Sequence, residues 1–145
     1  MLVVTSLVSS MVRLFHNGHL INRTSFNHDV SSWDVSNVNN MYQMFFNADS
    51  FNQEISDWDV SNVHDMALMF RNATSFNQDI GDWDVSSVNY MGRMFSHAYS
   101  FNQNISQWKV SNVTSCVWFR YHQSNNSFTL QDGYAPQFEN CSIQE

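Results

Sequence analysis

Apolar positions recur at a fixed set of spacings along the chain. In residues 50–74 they include Ile55, Trp58, Val60, Val63, Met66, Met69, Phe70 and Ala73. Trp58 and Val60 are two apart, so they share one face of a strand, and Asp57 and Asp59 point the other way. From Val63 the spacing becomes i, i+3, i+6/7 and i+10, which is one face of a short helix. Asp59, Ser61 and Asn62 precede that helix and can accept from the free N–H groups of its first turn. The pattern predicts an α/β coil of one short parallel strand, a tight turn, one short helix and a return.

The same pattern returns every 25 residues. Ser25-Phe26-Asn27 reappears at Ser50, Ser75 and Ser100 without insertion, and residues 50–74 and 75–99 agree at 15 of 25 positions. The Trp column is Trp33, Trp58, Trp83, Trp108. The predicted organisation is a degenerate partial repeat with a loop insertion over 1–24 and repeats over 25–49, 50–74 and 75–99. A degenerate last repeat over 100–122 and a cap or loose tail over 123–145 follow. A chain that starts inside a repeat reads as part of a longer array, with further repeats as neighbours. No unit of this kind buries its apolar face alone, so stability comes from stacking. Trp33, Trp58, Trp83 and Trp108 alternate in phase with Val60, Val85 and their equivalents, so they read as core, not as a sugar-stacking platform. The Asn27, Asn52, Asn77, Asn102 column reads as a ladder of side-chain hydrogen bonds between coils.

This repeat explains a composition that is otherwise odd. Only 13% of residues are charged, Gly is 4, Pro is 1, and aromatics reach 15%; a disordered chain lacks such aromatics. Six Lys plus Arg against a net charge of −7 leave too few cations to neutralise a run of phosphates, so nucleic acid is not an expected partner. No apolar run approaches a membrane span. The apolar start, Met1 to Ser10, lacks a basic region ahead of it and is a poor signal peptide.

The run from Asp59 to Gln78, DVSNVHDMALMFRNATSFNQ, resembles the repeat of BspA-like leucine-rich-repeat surface proteins, also found in mycoplasma-type lipoproteins. The resemblance covers about residues 5–122. It implies a right-handed, horseshoe-like solenoid with parallel strands on one side. It also implies an extracellular or cell-surface setting and, for some members, adhesion.

Outward strand positions form acidic columns. Asp34, Asp59, Asp84 and Lys109 make one; Asp57 and Asp82 lie beside it; Asp29, Glu54 and Asp79 stand at the strand entrance. Eight of the thirteen acids are on these stretches. Like charges stacked roughly 5 Å apart repel. One reading neutralises Asp57, Asp59, Asp82 and Asp84 with Ca²⁺; the plainer one is a solvated face with some Asp capping turns. The binding face is expected at Asp34, Asp57, Asp59, Asp82, Asp84 and Lys109, facing a protein or glycan partner. His16 and His19 form an isolated H-x-x-H, a poor metal signal. His64 and His97 are expected to face solvent.

Cys116 and Cys141 either staple the tail to the last coil or stand as a buried thiol and a tail thiol. Asn-x-Ser/Thr sequons occur at Asn22, Asn72, Asn104, Asn112, Asn125 and Asn140. No G-x-S-x-G, P-loop or H-E-x-x-H motif is present, and no cofactor is expected. The sequence reads as a non-enzymatic recognition or adhesion module. A structural spacer in a surface protein and a Ca²⁺-dependent module are the alternatives.

Overall fold

The computed structural model describes residues 7–16, 26–121, 130–131 and 133–142. The Met1–Ser6 segment, the predicted loop insertion, His19, and the sequons at Asn22 and Asn125 lie outside them.

The described residues form a stack of 25-residue coils, but no coil contains a helix or a named strand. The predicted strand-plus-helix unit is therefore incorrect. Each coil is instead a chain of β-turns. In the unit from Phe51 to Phe76, N–H groups of Trp58, Val63, Met69, Ala73 and Phe76 donate to the carbonyls of Ile55, Val60, Met66, Phe70 and Ala73, each three residues back. The first and fourth residues of each turn face the core, and all nine of these side chains are buried. The two middle residues of each turn face outward or lie part-buried.

This geometry explains why the helical reading failed. Turns laid end to end bury positions i and i+3, then i+4 and i+7, which is also how one face of a helix is spaced. The hydrogen bonds differ. In a helix each N–H bonds within its own segment. Here alternate N–H groups cross to the next coil: Met41, Gln43, Phe45 and Asn47 donate to the carbonyls of Asp65, Ala67, Met69 and Arg71 at 2.9–3.1 Å. The parallel bridges fall in this ladder, Ser10↔Asn40↔Asp65↔Tyr90↔Ser115. Parallel pairing thus lies in the stretch predicted as helix, not at the Trp–Val stretch predicted as strand.

The ladder turns require a left-handed third residue, as in a type II turn. Arg13, Gln43, Leu68, Arg93 and Trp118 fill one such column and Asn47, Asn72 and His97 another, all at φ 53–60°. Asn tolerates this conformation; a Leu, Arg or Trp there costs about 1–2 kcal/mol. Inter-coil hydrogen bonds, each worth about 1 kcal/mol net, and core burial offset that strain.

Across the coil, side chains join the units. Asn27, Asn52 and Asn77 Oδ1 accept from the N–H groups of Asn52, Asn77 and Asn102, each at 2.9 Å. Indole N–H groups of Trp58, Trp83 and Trp108 donate to the carbonyls of Val30, Ile55 and Ile80 at 3.0–3.1 Å. Those three Trp are buried, with Val60 and Val85, whereas Trp33 is only partly buried. Phe45, Phe70 and Phe95 stack at 5.6 Å between coils, alongside a parallel column of Phe51, Phe76 and Phe101.

The described tail residues lie on the last coil. Gln131 N–H extends the Asn ladder onto Asn102 Oδ1, and the Tyr134 carbonyl accepts from Ile105 N–H. Phe138 meets Phe119 edge-on, and Cys116 and Cys141 are joined by a disulfide. Cys116 occupies the buried column of Met41, Met66 and Met91.

Candidate functional site

The acidic columns have two kinds of member. Oδ1 of Asp34, Asp59 and Asp84 accepts from the N–H two residues on, at Ser36, Ser61 and Ser86, over 3.0–3.1 Å. The hydroxyls of Ser36 and Ser61 donate to the same oxygens at 2.6 Å. Asp29, Glu54 and Asp79 cap the preceding turn through Ser31, Ser56 and Gly81 N–H. Those made by Asp are Asx-type caps, the local use for which short polar side chains suit turns, and Glu54 makes the same bond with a longer side chain. The serine hydroxyl bonds, then the backbone bonds, hold the Asp29, Asp34 and Asp84 carboxyls below the ordinary range, so they are ionised at neutral pH. Lys109 contributes least to the Asp84 shift.

Asp57 and Asp82 occupy the third position of the turns that Glu54 and Asp79 cap, Ile55–Trp58 and Ile80–Trp83, and are exposed. The structure brings them together with the cap acids. A shallow hollow of about 290 Å³ is lined by Glu54, Ser56, Asp57, Asp79 and Asp82. A second, about 240 Å³, is lined by Gly81, Asp82, Trp83, Asp84, Val85, Gln107 and Lys109. Asp34 and Asp59 line neither.

Among the described residues, no three His, Cys, Asp or Glu side chains are grouped to hold a metal ion. Asp57, Asp59, Asp82 and Asp84 are therefore not assembled as a Ca²⁺ ligand set; Asp59 and Asp84 direct an oxygen into their own turns. His97 does not face solvent freely as expected. It is half-buried, with its pKa lowered by burial first and by Arg71 second. His16 stacks on Phe46 at 5.0 Å.

A second cluster was not signalled by the repeat. In the ladder turns Arg71 lies over the Phe46 ring at 5.3 Å and Arg93 over the Trp118 ring at 4.1 Å. These columns change residue at every coil, so comparison of repeats leaves them blank. Their one sequence signal is that Arg71 and Arg93 both fall at turn-middle positions of adjacent units.

Residues 9–131 match the family described as Mycoplasma protein of unknown function, DUF285. No curated protein and no solved structure matches the chain. Among the described residues no helix is long and apolar enough to cross a membrane.

Proposed function

The chain belongs to the DUF285 family of Mycoplasma proteins of unknown function, and on that premise we propose that it is a non-enzymatic recognition module that binds basic segments of a protein partner. The supporting observation is the hollow formed by Glu54, Asp57, Asp79 and Asp82 from two adjacent coils. Its size suits a lysine or arginine side chain, and its carboxylates supply charge-assisted acceptors. The likeness of Asp59 to Gln78 to BspA-like surface repeats supports an adhesive role at a cell surface or outside the cell.

Asp57 and Asp82 are the residues to change, because they cap no turn in the structure. A fluorescent Lys/Arg-rich peptide, followed by anisotropy, is expected to bind D57N/D82N at least about tenfold more weakly than the unaltered chain. Glu139→Gln, an exposed acid on the tail, serves as the single-charge control, compared with D57N and D82N taken singly. Equal weakening by Glu139→Gln, or no weakening by D57N/D82N, rejects the reading; the second outcome is what a structural spacer would give.

A further inference from the structure

A third hollow, about 360 Å³, lies where the last two coils meet the tail. Four amide side chains line it, Asn102, Gln103, Asn104 and Gln107, together with the carboxylates of Asp79 and Asp82. Tyr134 of the tail completes the lining. Gly81 forms part of the wall, where sister coils carry Ser31, Ser56 and Ser106. A Cβ on Gly81 would meet the Asn104 carbonyl oxygen at 2.6 Å, so this part of the wall is bare backbone. The volume falls within the range of small-molecule sites, about 300–1,000 Å³, but such sites are mostly apolar and this one is polar. A polar lining suits a ligand that carries hydroxyls over most of its surface.

The lining is held in place, and its internal bonds leave a mixed set of groups over. Asn102 Oδ1 accepts from Gln131 N–H at 2.9 Å, and Asn104 Oδ1 from Ser106 N–H at 3.1 Å. Gln103 Nε2 donates to the Asn77 carbonyl and to Asn77 Oδ1. The Nδ2 groups of Asn102 and Asn104 are left as donors, and Gln103 Oε1 as an acceptor. The Asp82 carboxylate and the Tyr134 hydroxyl bond to no other described residue. A lysine or arginine side chain carries donors alone and has no use for the amide N–H groups. A hydroxyl both donates and accepts, so it uses both kinds. Tyr134 is anchored through its backbone, by Gln131 and Ile105 at 3.0 Å, and its ring packs part-buried against the core. That ring offers an apolar face beside a polar tip, the combination that a sugar ring's C–H face and hydroxyl rim require.

We propose that this hollow binds a neutral hexose unit of a glycan. Asp79, Asp82 and Gln103 Oε1 accept from its hydroxyls, Asn102 and Asn104 Nδ2 donate to them, and the Tyr134 ring takes its apolar face. The two carboxylates turn away acidic sugars. The hollow shares Asp79 and Asp82 with the one proposed for basic segments, but the amides and Tyr134 are its own. It therefore stands whether or not that neighbour takes a basic segment.

The test is titration of the full chain with the methyl glycosides of glucose, galactose and mannose, each alone. The readouts are the NMR signals of the Asn104 side-chain amide and the Tyr134 ring. At least one glycoside is expected to give saturable shifts with a Kd near about 1 mM. The uronic acid of that same sugar, which adds a carboxylate, binds at least about tenfold more weakly. Tyr134→Ala, which keeps the backbone bonds, weakens binding at least about tenfold. Asp57→Asn, which alters only the Glu54–Asp82 hollow, leaves it unchanged. Conversely, Tyr134→Ala leaves capture of the Lys/Arg-rich peptide unchanged, so the two readings fail separately. Absence of saturation by all three glycosides up to about 50 mM overturns the site. So do equal binding of the uronic acid, no loss in Tyr134→Ala, and an equal loss in Asp57→Asn. Where Tyr134→Ala fails to fold, Gln107→Ala is read in its place under the same criteria.

Discussion

Two stretches of the same coil are held to their neighbours by different means. In residues 52–62 the links are side chains: the Asn27–Asn52–Asn77–Asn102 ladder, the indole bonds of Trp58 and Trp83, and Asn62 Nδ2 on the Ser36 carbonyl. In residues 63–73 the links are chiefly backbone N–H to carbonyl bonds, as from Met66, Leu68, Phe70 and Asn72 to Tyr90, Gly92, Met94 and Ser96, with one side-chain bond from Asn72 Nδ2 to Asn47 Oδ1. The difference decides which residues are free to vary. A side-chain link favours one residue type, so the Asn27 and Trp33 columns repeat in every unit, and only the Asn62 column changes, to Ser87. A backbone link fixes only the buried ends of each turn. Its middle residues run Tyr42, Ala67, Gly92, Val117 and Gln43, Leu68, Arg93, Trp118 without repetition. One side of the coil is a constant frame, and the other is a surface on which chemistry can change coil by coil.

That contrast breaks most sharply at Leu68. Its N–H donates to the Gly92 carbonyl at 2.9 Å, and its φ is 58°. Leu68→Pro removes the donor and forces φ to about −65°. It is expected to destabilise by about 3 kcal/mol or more, read as a lowered urea midpoint in Trp fluorescence. The side-chain frame is tested by Trp83→Phe, which keeps an aromatic in the core but deletes the donor to the buried Ile55 carbonyl. The expected cost is about 1–3 kcal/mol by the same measurement. If Leu68→Pro proves the milder change, the ladder is not what holds 63–73 together.

How much of this was legible in the sequence follows the same division. The coil period, the Asn ladder and the buried Trp58, Trp83 and Trp108 could all be read, because a side-chain link leaves its residue type in every unit. The ladder could not. Buried ends of successive turns reproduce helical spacing, and residues such as Ala67 and Leu68 favour helix on propensity. Tertiary pairing between coils overrode both. Only Asn47 and Asn72, at left-handed positions, hinted at turns. The acidic site was half legible. Repetition exposed the columns, but dividing cap acids such as Asp59 from outward acids such as Asp57 requires the phase of the turns. Arg71 and Arg93 left no periodic trace at all.

The smallest expected effect separates the two stretches by sign. Asp65 is half-buried in the ladder, and desolvation raises its pKa against the opposing bond from Ala67 N–H. With the folded pKa above the unfolded one, the folded state binds the proton more tightly. Stability from this group is therefore greatest at low pH and falls as pH rises through the raised pKa. Asn40 holds the equivalent position one coil back and makes the same cap, Tyr42 N–H to Oδ1 at 2.9 Å. Asp65→Asn keeps the cap and removes the charge, so it should stabilise at pH 7 by about a few tenths of a kcal/mol, discounted for partial exposure. At pH 3, where the unaltered side chain is protonated, the gain should vanish. Asp84, in the other stretch, has its pKa lowered by the hydroxyl and backbone bonds of Ser86. Its contribution is present above the unfolded pKa and lost as pH falls through the lowered folded pKa, so Asp84→Asn should destabilise at pH 7 and by less at pH 3. Urea midpoints of both variants at pH 7 and pH 3 check the pair. Like-signed effects at pH 7 would mean that the two carboxylates share one environment, and that the cap, not the surrounding stretch, sets their energetics.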